Sequence, residues 1–135
     1  MIEQLLTPLT FAQLVTMLFL AVLFLQSGVD KVIDFAGNYQ WLQGHFAKSP
    51  LRSHVKMMLI TMTVTEVLAG ILALCGAAQL AMSGEKMFAL YGAQLAALNI
   101  LMLFFGQRMA KEYVGAAVLV PYFMLCVGAV VLLAQ

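Results

Sequence analysis

Four long apolar stretches constrain this chain more than any other feature of its sequence. A helix needs about 20 mostly apolar residues to cross about 30 Å of hydrocarbon, and such stretches take up nearly all of the 135 residues. Only 10% of the residues are charged, whereas soluble domains carry roughly a quarter. The sequence therefore predicts one all-α transmembrane domain over residues 1–135, an integral membrane four-helix bundle. The predicted spans are residues 9–27, 53–76, 86–107 and 113–134.

The segment between the first two spans is long enough to form structure of its own. Phe35, Tyr39, Leu42 and Phe46 recur there at helical spacing, and Trp41 lies among them. Aromatic residues are enriched where a membrane meets water. We therefore predict a short amphipathic helix that lies in the membrane interface between helices 1 and 2.

Basic residues are distributed unevenly around the spans, which predicts the orientation of the chain. Only Lys86 lies on the side of loop two. The start MIEQLL lacks the basic region of a cleaved signal, so we expect the first span to be retained. By the positive-inside rule, loops one and three are predicted to be cytoplasmic and both termini to lie outside. The basic residues on the side of loops one and three are Lys31, Lys48, Arg52, Lys56, Arg108 and Lys111.

Glu66 lies near the middle of the second span, where an acidic side chain costs a few kcal/mol. We expect it to face away from lipid. Two interpretations remain open: a ligand-binding or proton-relay site around Glu66, or a helix–helix hydrogen bond in which neutral Glu66 joins Asn99 or Tyr122. Glu66 could form one polar layer with residues of the other helices. Thr16, Asn99 and Tyr122 lie at a similar depth, and Gln13 and Gln94 lie slightly farther out.

Charged residues gather at the predicted cytoplasmic boundary of the bundle. Asp30 and Lys31 end the first helix, Lys56 begins the second, and Arg108 follows the third. The spacing predicts an ion-pair cluster in which Asp30 pairs with Arg108 or with Lys56. The excess positive charge could instead hold a lipid headgroup, a quinone head or a small anion, and interfacial snorkelling is the alternative without a ligand.

Other chemistries have little support in the sequence. A net charge of +1 argues against binding to nucleic acid. Cys75 and Cys126 lie far apart without a CxxC pair, so we interpret them as small buried hydrophobic residues and predict no metal site. His45 and His54 do not lie at facing depths on separate helices, which disfavours a buried haem. No cofactor is evident, and a quinone is the class left open.

Three stretches of the chain resemble signatures of the DoxX-like family of small four-helix bacterial membrane proteins. The resemblance implies a location in the bacterial inner membrane, and the positions that match the family motifs are Gly28, Lys31, Glu66 and Arg108. The stretches are FLQSGVDKVIDF at residues 24–35, TEVLAGILALCG at residues 65–76 and QRMAKEYVGAAVLVPYF at residues 107–123.

The resemblance also implies a class of function, because the family takes its name from a subunit associated with thiosulfate oxidation and quinone reduction. The leading hypothesis is a non-catalytic membrane subunit or accessory protein of a larger complex, for which a respiratory or quinone-linked oxidoreductase is the candidate. No recognised catalytic set is present, which favours a chain that is not an enzyme by itself but could be a subunit of a quinone-linked oxidoreductase. The expected partners are the lipid bilayer and either a larger membrane complex or further copies of this chain.

Two alternatives accompany this hypothesis. The first is a site for a quinone or a lipid, with Glu66 as proton acceptor. The second is a small oligomeric transporter, which the midplane carboxylate and Pro121 in the fourth span would suit. The ligand-binding residues predicted for the first alternative are Glu66, Asn99, Tyr122, Lys31 and Arg108.

Overall fold

The computed structural model describes residues 7–135, except for the side chain of Arg52. These residues form helices and turns, with no strand among them. This confirms the all-α class. The elements are α1 (Pro8–Ile33), α2 (Phe35–His45), a 3₁₀ helix (Arg52–His54), α3 (Val55–Ser83), α4 (Met87–Met109) and α5 (Tyr113–Leu133).

Helices α1, α3, α4 and α5 are each long and apolar enough to cross a membrane. Their ends follow local chemistry. Pro8 occupies the first turn of α1, where its missing N–H is not needed. Helix α3 continues past the predicted end at residue 76 because good helix formers follow, and it stops where Gly84 adopts a φ of 75°. The chain is therefore a multi-pass membrane protein with four spans.

The short helix α2 forms between the first two spans, as the sequence predicts. Phe35, Tyr39 and Leu42 are partly covered, and Phe46, which caps the helix, is buried. Trp41 lies on the other face and is exposed. The spacing therefore predicted a helix here correctly, and the four spaced residues share its less exposed face.

The spans pack in the order α1, α3, α4 and α5, and α5 makes fewer contacts back to α1. Close approach depends on small residues, since lipid supplies little hydrophobic drive between inserted helices. A Cβ atom at Gly76 would collide with the backbone of Ala89, and one at Gly28 would lie 3.1 Å from the backbone nitrogen of Val67. These glycines let α3 approach α4 and α1 closely.

The two cysteines differ in their surroundings. Cys126 is fully buried, as expected, whereas Cys75 is exposed on the outside of the bundle. The expectation for Cys75 is wrong because its neighbour Gly76 faces α4. A helix turns by about 100° per residue, which carries the Cys75 side chain outward.

We call the end of the bundle that holds Ile33, Val55, Met109 and Tyr113 the basic side. The exposed lysines of loops one and three, Lys48 and Lys111, lie at this end. The opposite end holds Gly84 and Leu133.

A polar cavity inside the bundle as the candidate functional site

A cavity of about 260 Å³ lies between the four spans. Its walls are largely aliphatic, but five polar side chains line it as well. Four of the five residues predicted as ligands, Lys31, Glu66, Asn99 and Tyr122, meet here, although they come from four different helices. The full lining is Leu23, Phe24, Ser27, Lys31, Glu66, Asn99, Ile100, Leu103, Leu119 and Tyr122.

An ion pair occupies the cavity wall between α1 and α3. Lys31 Nζ donates to Glu66 Oε2 at 3.1 Å, and the Glu66 side chain is only 2% exposed. The close contact of Gly28 with Val67 places Lys31, one turn farther along α1, within reach of Glu66. Two charges withdrawn from water cost several kcal/mol each, and their attraction offsets this cost only with good geometry and further hydrogen bonds. No other ion pair forms among residues 7–135.

Asn99 presents an unpaired acceptor beside this ion pair. Its Nδ2 donates to Thr65 Oγ1 at 2.7 Å and lies 3.3 Å from the carbonyl oxygen of Met62. A carbonyl can only accept, so the amide orientation is determined. Asn99 Oδ1 is then buried with no hydrogen-bond partner in the described part of the chain. Leaving a buried acceptor unpaired costs about 1–3 kcal/mol.

Two hydroxyl groups complete the polar lining. Ser27 on α1 and Tyr122 on α5 both contact the cavity, and neither hydroxyl has a hydrogen-bond partner among the described residues. Ser27 lies four residues before Lys31, and this spacing places the two on one helix face. Tyr122 follows Pro121, which α5 accommodates without a break.

Sequence reasoning missed Ser27 and Thr65, although both left a signal. Ser27 lies within the QSGVDK run, one turn from Lys31. Thr65 ends the TMTVT run just before Glu66, and a run of threonines inside a span indicates hydrogen bonding between helices.

The polar layer in the structure contains fewer residues than the sequence predicts. Gln94 is exposed on the outer face of α4, and Thr16 is half-buried but does not line the cavity. Gln13 is buried far from the cavity, where its Nε2 donates to the carbonyl oxygen of Leu132 at 2.9 Å. Depth along a span was a poor guide for Gln94, because its neighbour Ala93 is the residue that turns inward.

The predicted ion-pair cluster is also wrong in its pairing. Asp30 and Lys56 are exposed and form no ion pair with each other or with Arg108. Arg108 instead lies over the ring of Tyr113, 4.6 Å from its centroid, and is not part of the cavity. Lys31 turns inward to Glu66, because it follows Gly28, which contacts α3, by about one helical turn.

Four membrane-spanning helices around a buried ion pair define an integral membrane bundle with a polar interior site. The family model described as DoxX matches residues 12–105, more than two thirds of the chain, and the chain belongs to the DoxX family. The match includes Lys31, Glu66 and Asn99, whereas Arg108 and Tyr122 lie beyond it. No curated protein and no solved structure matches the chain.

Proposed function

We propose that this DoxX protein holds the polar head of a lipid-soluble small molecule, of the quinone class, in the polar cavity. One observation carries the proposal: the Lys31–Glu66 ion pair and the unpaired Asn99 Oδ1 line the same buried cavity. A volume of about 260 Å³ is smaller than typical pockets for whole ligands. It suits a ring-sized head whose apolar tail stays in the membrane.

The polar groups of the cavity match the two redox forms of a quinone. The Lys31 ammonium has protons left to donate to a quinone carbonyl oxygen. Asn99 Oδ1 and the second oxygen of Glu66 can accept from the hydroxyl groups of the reduced form. Glu66 is also placed to accept one of the two protons that the reduced form releases on oxidation, and Lys31 stabilises the carboxylate form of Glu66 that accepts it.

The alternative of simple helix–helix adhesion agrees less well with the contacts. It requires Glu66 to bond to Asn99 or Tyr122, but Glu66 pairs with Lys31 and Asn99 bonds to α3 through Thr65. Adhesion also leaves Asn99 Oδ1 and the hydroxyl groups of Ser27 and Tyr122 without hydrogen-bond partners among the described residues. A ligand in the cavity would satisfy all three groups.

We place this binding role within a larger assembly. In our proposal the chain is a membrane subunit of a quinone-linked oxidoreductase, and the electrons pass through its partner. Membership in the DoxX family supports this setting. The chain would orient the quinone head and exchange its protons.

Ligand retention tests the proposed site. The full chain is reconstituted in nanodiscs with a decyl-benzoquinone, and its affinity is measured for the wild type, Glu66→Gln and Asn99→Leu. Losing one hydrogen bond to a charged group costs about 1.5–3 kcal/mol, so Glu66→Gln should weaken binding at least about tenfold. Glu85→Gln is the matched control, since Glu85 is exposed and bonds only to Gln79.

If both Glu66→Gln and Asn99→Leu bound the quinone with the affinity of the wild type, the quinone site would be refuted.

The assembly is tested separately by native mass spectrometry of the protein extracted from its own membrane. A stoichiometric protein companion that remains with Glu66→Gln would support the subunit role. Recovery of the wild type only as a lone chain would contradict it.

A further inference from the structure

The side chains that line the polar cavity are not equally covered. Glu66 on α3 and Asn99 on α4 are 1% and 0% exposed. Ser27 on α1 and both Leu119 and Tyr122 on α5 are only partly covered, although they line the same cavity. The cavity is therefore closed toward α3 and α4 and opens to the outside of the bundle between α1 and α5. We call this opening the lateral window.

The burial pattern along α5 gives the depth of the lateral window. Cys126, Ala129 and Leu133 follow one another at helical spacing, and all three are buried. Burial becomes incomplete at Tyr122 and Leu119, toward the start of the helix. At 1.5 Å per residue these two residues lie about 14 Å and about 9 Å along α5. The lateral window therefore faces the hydrocarbon of the membrane rather than water.

The other interfaces around the cavity are closed. A Cβ atom at Gly28 would lie 3.1 Å from the backbone nitrogen of Val67, which leaves no gap between α1 and α3. Asn99 joins α4 to α3 through its hydrogen bonds to Thr65 and Met62. Helix α5 packs mainly against α4, and its contacts with α1 are fewer. The lateral window thus lies at the least packed interface between neighbouring spans.

The two ends of the α1–α5 interface differ in their hydrogen bonding. At the end opposite the basic side, Gln13 Nε2 donates to the carbonyl oxygen of Leu132 at 2.9 Å. At the lateral window, no hydrogen bond joins Ser27 to Tyr122 in the described part of the chain. Helices α1 and α5 can therefore separate at the lateral window while they stay joined at the opposite end.

A larger space, of about 690 Å³, lies on the outside of the bundle between α2, α3 and α4, and we call it the apolar groove. Methionine, leucine and phenylalanine side chains dominate its lining. Among the described residues, only Leu103 lines both the apolar groove and the polar cavity. Asn99 of the cavity also bonds to the backbone of Met62, which lines the groove. These contacts separate the two spaces, so the groove gives no open route to the ion pair.

We propose that the lipid-soluble ligand of the polar cavity enters through the lateral window, and that its apolar tail lies between α1 and α5 while its head stays beside Glu66. This inference rests on the proposed function. A cavity of about 260 Å³ is too small for a head together with a long tail, so the tail must leave at an open interface. The exposed side chains next to the lateral window are mainly apolar, including Val22, Val118 and Phe123, and they suit a hydrocarbon tail.

Photolabelling tests the path of the tail. The full chain in nanodiscs is incubated with a benzoquinone that carries a photoreactive diazirine in its alkyl tail. After illumination, the labelled residues are mapped by mass spectrometry, with and without an excess of decyl-benzoquinone. Only label that the excess removes is counted, because any lipid-soluble probe also reacts with the outer surface of the spans.

We expect the competed label on α1 and α5, around residues 19–27 and 118–123. Competed label on the walls of the apolar groove, at residues 57–62 and 101–107, would leave the quinone site standing but overturn the lateral window as its entrance. If no label were competed anywhere, the quinone site itself would be refuted, and the route with it.

Two leucines of the cavity wall provide a matched pair of variants. Leu119 lies at the lateral window and Leu103 lies beside the apolar groove, and both are partly buried and line the cavity. Changing either one to alanine removes the same volume from the wall. Leu119→Ala should bind the photoreactive quinone at least about threefold faster than Leu103→Ala, which is within the range over which association rates of related complexes vary.

The rise of competed label after rapid mixing measures both association rates. Equal rates for the two variants, or faster binding by Leu103→Ala, would overturn the lateral window as the entrance.

Discussion

The two ends of the bundle are built differently. Toward the end opposite the basic side, small residues let backbones touch: Gly76 contacts Ala89, and Gly92 contacts Ala73. Toward the basic side, α1 and α3 still approach closely at Gly28, but the packing there leaves room for both the polar cavity and the apolar groove. Since packing supplies most of the association energy between helices in lipid, the closed end provides stability. At the open end the side chains pack less completely, and the remaining space can hold a ligand.

The largest expected effect tests whether the open end depends on its ion pair. Lys31→Met leaves the Glu66 carboxylate buried without its partner, which should lower the free energy of unfolding by about 3–5 kcal/mol. Thermal unfolding in detergent, followed by circular dichroism, measures the change. Adding Glu66→Met to the same protein should restore most of the stability. A single variant no less stable than the double variant would contradict this prediction.

The closed end should respond to the size of one side chain. Gly76→Leu forces α3 away from α4 at Ala89, and overpacking of this kind costs about 1–3 kcal/mol. The same unfolding measurement applies, with Gly128→Leu as the control of equal added volume. If both variants unfold like the wild type, close approach at Gly76 does not stabilise the bundle.

A smaller effect concerns the orientation of Asn99. Thr65→Val removes the hydroxyl that accepts from Asn99 Nδ2 at 2.7 Å, which should cost about 1 kcal/mol of stability. Affinity for the decyl-benzoquinone should fall a few-fold, because the amide is no longer held with Oδ1 free. Thr63→Val is the control, since the Thr63 hydroxyl donates only to the Leu59 carbonyl of its own helix. Equal affinities of the two variants would disprove the orienting role.

The smallest effect compares the cysteines. Cys75→Ser replaces an exposed side chain and should change the free energy of unfolding by less than about 0.5 kcal/mol. Cys126→Ser places a hydroxyl in the packed core at the closed end and should cost about 1 kcal/mol or more. Unfolding curves of the two single variants measure the difference. If Cys75→Ser lowered the stability more than Cys126→Ser, the assignment of Cys75 as exposed and Cys126 as buried would be wrong.

Sequence patterns predicted the features that depend on composition along one helix. The spans, the short helix α2 and the inward position of Glu66 follow from apolar length, aromatic spacing and the cost of a carboxylate in hydrocarbon. Lys31 was identified through the family resemblance and as part of the charged boundary. Its partner was not predicted, because pairing across helices depends on how α1 rotates against α3.

Other residues show the same limit more clearly. Gln94 lies only slightly farther out along its span than Glu66, but it faces outward. The groove was not predicted either, because its walls come from separate helices and a loop that meet only in the folded chain. No periodicity within one segment reports a space between several segments.

The sequence by itself determined that this chain crosses the membrane four times, that a short helix follows the first span and that Glu66 avoids lipid. These properties depend on the free energy of each residue in hydrocarbon or water, which is local. Only the tertiary structure decided that Lys31 pairs with Glu66, that Asn99 keeps a free acceptor and that Arg108 lies apart from the cavity. Those outcomes depend on the rotation of each helix about its own axis, which the close contacts at the glycines set between neighbours.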